Sequence, residues 1–256
     1  MKNYREFSEE MAGKAGKIIR ENFSLGMKKE WKKDNTPVTM TDKEINRMII
    51  ESVRENFPDH GVLGEEEKYK IDSEYVWVCD PVDGTIPFSH GVPLSTFSLA
   101  LTFRGESILG VIVDPFMNRT VMAEKNKGVY LNGKNIQVSK AESIKNAIVA
   151  VEYIPSFPHD LHLVKNKLIK KGAYAYSIYS VSYSGMMIAM GEFLGVVSSV
   201  ISPWDGAAVK IIVEEAGGKV TDLFGQEQDY TKEIKGFIAS NGKVHDILLE
   251  LLRKNI

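Results

Sequence analysis

Three short stretches of this chain carry carboxylates at spacings that suit metal-assisted phosphoryl chemistry: Gly64-Glu65-Glu66, Asp80-Pro81-Val82-Asp83-Gly84-Thr85 and Trp204-Asp205-Gly206-Ala207-Ala208. Magnesium takes hard oxygen ligands in near-octahedral geometry, usually a few carboxylates completed by waters and substrate phosphate. A two-metal hydrolase needs one carboxylate that bridges the ions and others that hold each ion separately. Asp80 and Asp83 flank a proline-stiffened turn at the expected end of a strand, so both can point into one crevice. The Val82 carbonyl lies between them as a further oxygen donor, and Gly84 and Thr85 offer backbone N–H groups to a phosphate. Each stretch also has a plainer reading: a solvated acidic run at Glu65 to Glu67, a tight turn at Asp83-Gly84, an N-cap at Asp205. Their occurrence together, in this order, points to a metal-dependent phosphatase.

Other phosphatase chemistries fit less well. An aspartyl nucleophile would want a D-x-D pattern, whereas Asp80 and Asp83 are three apart. A cysteine phosphatase wants an arginine six residues after its cysteine, and position 85 is Thr85. Cys79 therefore reads as a small core side chain, and as the one cysteine of the chain it can form no intramolecular disulfide.

The 256 residues allow one large domain or two small ones, and 43% hydrophobic with 26% charged residues is ordinary for a globular protein with a sizeable core. A formal net charge of -2 carries no bulk signature for nucleic acid or anionic membranes, so neither is an expected partner. The basic cluster Lys28-Lys29 with Lys32-Lys33 reads as a solvated loop. Met1 to Glu6 carries acids rather than a secretory signal, and no apolar run approaches the ~18 residues of a membrane helix. The expectation is a cytoplasmic protein.

The acidic stretches must be positioned by the elements around them. Residues 4 to 23 have helical periodicity, and a polar loop or short hairpin spans Lys28 to Pro37. Thr41 and Glu44 form an expected capping box opening a second helix with Ile45, Met48, Ile49, Val53 and Phe57 on its buried face. Tyr75 to Cys79 is a strand leading into Asp80. Strands at Thr96 to Phe103, Ser107 to Val113, Thr120 to Ala123 and Gly128 to Leu131 follow as an antiparallel meander, with a turn at Asn132-Gly133. After Ala147 strands and helices alternate: strands at Ile148 to Val151, Leu194 to Val200, Val220 to Leu223 and Phe237 to Ser240, and helices near His159 to Lys170, Gly185 to Gly191, Asp205 to Ala216 and Val244 to Lys254. Two tightly joined lobes are expected, 1–145 and 146–256.

The G-E-E run, the D-P-V-D-G-T run fifteen residues after its first Glu, and W-D-G-A-A resemble the inositol monophosphatase family. Pro37 to Asp42, Phe57 to Gly61 and Glu214 to Gly218 extend the likeness over nearly the whole chain. The resemblance implies an α/β (α+β) fold, a layered α/β/α/β/α sandwich with the active site between the lobes. It implies two or three magnesium ions held by Glu65, Asp80, Asp83 and Asp205 with the Val82 carbonyl, Asp80 bridging. It further implies that Thr85 hydrogen-bonds the attacking water and is oriented by Asp42, that Glu65 belongs to the catalytic set with them, and that Glu66 holds a metal-bound water. Gly84 and Thr85 would cradle the phosphate, Asp205 would position a water for the leaving group, and a homodimer and inhibition by lithium would follow.

The specificity half departs from the family. Ile86-Pro87-Phe88 replaces the usual Thr-Asn-Phe, Tyr179 replaces a glycine, and Ser198 replaces an acid seven residues before Asp205. Losing a charge-assisted hydrogen bond removes about 1.5–3 kcal/mol of selective binding. Tyr176, Tyr179, Ser180 and Ser198 thus read either as a pocket for a small phosphorylated metabolite or as packing at the lobe boundary, and His90 either as a pocket or a structural residue. The candidate substrates are sugar or polyol monophosphates, histidinol phosphate, fructose 1,6-bisphosphate and 3'-phosphoadenosine 5'-phosphate. A catalytically idle regulatory binding protein is the alternative of another class.

Overall fold

Apolar residues at helical spacing bury Phe7, Met11, Ala15 and Ile19 on one face of α1 (Tyr4–Asn22), which Asn3 caps by accepting the Glu6 N–H at 2.8 Å. This computed structural model describes residues 3–33, 36–153 and 159–253. Asp34 and Asn35 of the expected loop, Lys254 of the last helix and the first two residues lie outside them. The loop is a short antiparallel hairpin, β1 (Glu30–Trp31) with β2 (Pro37–Val38), and it leads into α2 (Met40–Asn56). The capping pair is not Thr41 with Glu44 but Thr39 with Asp42, two residues earlier. A T-x-x-D spacing there serves as well as T-x-x-E, and Thr41 is instead buried in the first turn.

An eight-stranded sheet follows: β3 (Gly61–Gly64), β4 (Lys68–Tyr69), β5 (Tyr75–Asp83), then helix α3 (Thr85–Ser89), β6 (Thr96–Phe103), β7 (Glu106–Asp114), β8 (Arg119–Glu124), β9 (Val129–Leu131) and β10 (Lys134–Asn135). Its order is β10-β9-β8-β7-β6-β5-β3-β4. The meander is antiparallel as expected, Asn132-Gly133 closing β9 onto β10, but β3 runs parallel to β5. A second sheet, ordered β12-β11-β13-β15-β14, is built from β11 (Ile148–Glu152), α4 (His162–Lys170), β12 (Tyr174–Tyr176), α5 (Val181–Ala189), β13 (Phe193–Ser198), α6 (Pro203–Glu215), β14 (Lys219–Thr221), β15 (Phe237–Ser240) and α7 (His245–Arg253).

Three apolar clusters stack these elements. One holds α1 and α2 against the outer face of the large sheet, the second packs α5 and α6 between the sheets, and the third covers the far face of the small sheet with α4 and α7. The result is the expected α/β/α/β/α sandwich. Among the described residues no helix is long and apolar enough to cross a membrane.

Candidate active site

The acidic motif is part of β5 rather than a turn beyond it. Asp80 pairs with Ser98 and Asp83 with Thr96, so three steps along β5 answer two along β6. That extra residue is a β-bulge. In an unbroken strand residues three apart face opposite ways, whereas Ser98 and Thr96, two apart, share a face. The bulge at Pro81-Val82 therefore brings both aspartates to one side. Val82 buries its side chain in the core and is also among the residues lining the cavity. Gly84 has φ +89°, and a β-carbon there would lie 2.9 Å from the Leu94 carbonyl and 3.1 Å from Ser180 Cβ, so glycine is required.

Asp205 lies in the first turn of α6 behind Ser202 and Pro203, so it is not the N-cap. It meets Asp80 and Asp83 there, each offering an oxygen within 4.8 Å of the others. Burial, then Glu65, Asp83 and Asp205, pushes the Asp80 carboxyl well above the usual range. Burial, then Asp83 and Glu65, does the same to Asp205. Burial also raises Asp83, against hydrogen bonds from Ser180 Oγ (2.8 Å), Ser182 N (2.6 Å), Val181 N (3.2 Å) and Thr96 Oγ1 (3.2 Å).

A second acidic group joins Asp42, Glu65 and Glu66. Thr39 donates its N–H (2.8 Å) and its hydroxyl (2.5 Å) to Asp42 Oδ2, which leaves Oδ1 to accept from Thr85 Oγ1 at 3.2 Å. The helix cap thus aims the carboxylate at the threonine. Burial, then Glu65, pushes the Asp42 pKa up to about 7 against those two bonds. Thr85 also lies 2.9 Å from the Val82 carbonyl.

Lys32, expected in a solvated loop, is carried inward by the hairpin and pairs with Glu65 at 2.7 Å and Glu66 at 2.5 Å. Burial alone would lower its pKa, but the two glutamates outweigh that and hold it above its usual value. Glu65 is placed by its N–H, which donates to the Cys79 carbonyl at 3.2 Å, and Glu66 and Glu67 by Asn46, whose Oδ1 accepts their N–H groups at 3.1 and 3.3 Å. A β-carbon on Gly64 would sit 2.1 Å from that oxygen. Gly64→Ala is therefore expected to cost about 1–3 kcal/mol of stability in a thermal melt, the usual penalty of overpacking. An unchanged melting temperature would show that Asn46 can yield.

These residues open on a cavity of about 270 Å³, at the small end of ligand pockets. Its lining includes Glu65, Asp80, Asp83, Gly84, Thr85 and Asp205 together with Ile86, Tyr153, Tyr179, Val200, Ile201 and Trp204. Ser180 and Ser198, expected to meet substrate, do not line it. Both are fully buried: Ser180 serves Asp83, and Ser198 Oγ accepts from Val200 N at 3.4 Å. Tyr176 does not line it, and His90 is exposed against Lys29 and the Ile86 carbonyl. Cys79 is buried in the core. Sequence reasoning missed Lys32 and Glu152, since no motif flags a lone lysine or a strand-end glutamate. Glu152 lines the cavity, and burial pushes its pKa up to about 7 against hydrogen bonds from Ile178 and Tyr179.

Every candidate ligand in the cavity is a carboxylate or carbonyl oxygen, the donor set of a hard cation such as magnesium. The crowding of acids, offset only in part by Lys32, fits a site that takes up positive charge.

The family model described as inositol monophosphatase matches residues 1–256. A Thermotoga maritima protein named fructose-1,6-bisphosphatase/inositol-1-monophosphatase is 35% identical over 217 residues, 85% of this chain and 82% of the relative. The histidinol-phosphatase of Chlorobaculum parvum is 35% identical over 237 residues, 91% of this chain and 90% of the relative. A solved Thermotoga maritima IMPase superposes with a TM-score of 0.87 at 32% identity, covering 97% of this chain and 96% of its own.

Proposed function

The chain belongs to the inositol monophosphatase family, and from that premise we propose that it is a magnesium-dependent hydrolase of small phosphate monoesters. The observation that carries the reading is the convergence of Glu65, Asp80, Asp83 and Asp205 beside the Asp42–Thr85 pair on one cavity. Those four carboxylates and the Val82 carbonyl would hold the metal. Bound magnesium supplies positive charge that polarises the phosphoryl group and lets a water ionise near neutral pH.

The chain's own groups do the rest. Thr85 and Glu65 face the cavity and hold the attacking water, while Asp42, fixed by Thr39, orients the Thr85 hydroxyl. Gly84 and Thr85 turn backbone N–H groups toward the phosphate, and Gly84 makes the left-handed turn that no side chain could enter against Leu94 and Ser180. Asp205, beside Trp204, orients the water that gives the leaving oxygen its proton. Glu66 supports Glu65 through their shared Lys32.

Tyr153, Tyr179 and Trp204 give the cavity an aromatic wall on which a leaving group can rest, and the buried Ser198 takes no part in it. A sugar or polyol monophosphate is the leading substrate, with histidinol phosphate the alternative. The test is phosphate release from inositol 1-phosphate, histidinol phosphate and fructose 1,6-bisphosphate, with magnesium and with chelator. Release should require magnesium; absence of release from any monoester would sink the enzyme reading.

A further inference from the structure

Residues 178–182 cross from β12 to α5 between two buried carboxylates on different strands. Asp83 holds the later half through Ser180 Oγ, Val181 N and Ser182 N. The earlier half is held by Glu152, the last residue of β11 and 3% exposed. Its Oε1 accepts the Ile178 N–H and its Oε2 the Tyr179 N–H, each at 3.0 Å. Glu152 is itself fixed, since its carbonyl accepts the Ser199 N–H at 3.1 Å.

Between the anchors Tyr179 takes φ +57°, a left-handed conformation that aromatic residues rarely adopt. The residue is 49% exposed and lines the cavity. Two neighbouring N–H donors need two acceptors in one plane, which a carboxylate provides and a carboxamide does not.

We infer that Glu152 is a positioning residue for substrate selection: it clamps the Ile178 and Tyr179 amides, holds Tyr179 in its left-handed turn, and so sets the aromatic wall against which the leaving group rests. Asp83 keeps the other half of the segment in place without it. The metal and phosphate end should therefore not feel the loss of Glu152. The inference rests on the phosphatase reading for the role of the wall, while the clamp stands on geometry alone.

Two measurements on Glu152→Gln separate these. In amide-resolved hydrogen exchange, Ile178 and Tyr179 should exchange about tenfold faster or more, with Val181 and Ser182 still protected by Asp83. This arm needs no turnover; unchanged protection at 178 and 179 would overturn the clamp. With magnesium, KM for p-nitrophenyl phosphate should rise about tenfold, kcat staying within about threefold and inhibition by inorganic phosphate within about twofold. In a Tyr179→Ala background the same substitution should add little, because the wall is already gone.

A KM unchanged within about twofold, a parallel rise in the phosphate inhibition constant, or additive effects in the double variant would overturn the role in selection. If Glu152→Gln does not fold, Glu152→Asp, too short to reach both amides, is read by the same criteria. A parent enzyme that releases no phosphate would instead mark failure of the phosphatase reading, leaving the exchange result to decide the clamp.

Discussion

Asp80→Asn is expected to lower kcat/KM by at least about 10³-fold, the loss that follows when about 4 kcal/mol of metal-derived transition-state stabilisation is removed. Asp80 is 2% exposed, and burial, then Glu65, Asp83 and Asp205, all push its pKa up, so its carboxyl lies within the field of the other acids. Asparagine keeps an oxygen for the Val82 N–H, which Asp80 Oδ1 now receives at 3.1 Å. Shape and local bonding therefore survive while the charge goes. Removing that charge also relieves repulsion, so the variant without metal should melt at or above the parent. The stabilisation by magnesium should largely vanish. Opposite signs for metal-free stability and for activity are the signature of a ligand rather than a structural residue. Activity within about tenfold of the parent at saturating magnesium would contradict the assignment.

Asp83→Asn would be a less clean test. The Asp83 carboxylate accepts from two hydroxyls and two amides, and an asparagine NH₂ would face some of those donors. Activity lost there would mix metal binding with collapse of residues 180–182.

What could be read in advance follows from how each residue reaches the site. Asp80, Val82, Asp83, Gly84 and Thr85 are neighbours in the chain, so their spacing already implies a common locus. The bulge that turns both aspartates to one face is invisible in that spacing, because it is defined only against β6. The long apolar helices and the meander were legible from periodicity; β3, β4 and β12 are too short to show any. Asp42 was legible only through family resemblance, and its exact hold on Thr85 depends on a cap two residues from where the Thr41 and Glu44 types suggested. Lys32 and Glu152 reach the site across the fold, 33 residues from Glu65 in the first case and 26 from Ile178 in the second. Contacts of that range leave no local pattern. The same is true of Ser180, whose type suggested a substrate contact and whose packing makes it a support for Asp83.

Stripping divalent cations should invert the pH dependence of stability. The carboxyls of Asp42 and Glu152 rise from their ordinary 3.8 and 4.5 to about 7, mainly through burial, and those of Asp80, Asp83 and Asp205 are raised as well. An acid with a raised folded-state pKa stabilises the fold below its unfolded value, and that contribution is lost as pH rises through the folded value. Metal-free protein should therefore melt lower at about pH 8 than at about pH 6. His245 acts in the other direction: burial lowers its pKa to about 4 between Thr221 and Ser240, so its contribution is lost as pH falls from 6.5 toward 4. Staying at about pH 6 and above keeps most of that effect out of the comparison. Magnesium binds the ionised carboxylates, so its effect grows as they lose protons. At a hundredfold excess over its dissociation constant it contributes about 2.7 kcal/mol, or about 5–10 °C for a chain of this length. That increment should appear at about pH 8 and shrink to less than about half at about pH 6, where protons compete for the same oxygens. Equal increments at the two pH values, or a metal-free melting temperature that rises with pH, would mean that the acids around Asp80 do not form the cation site.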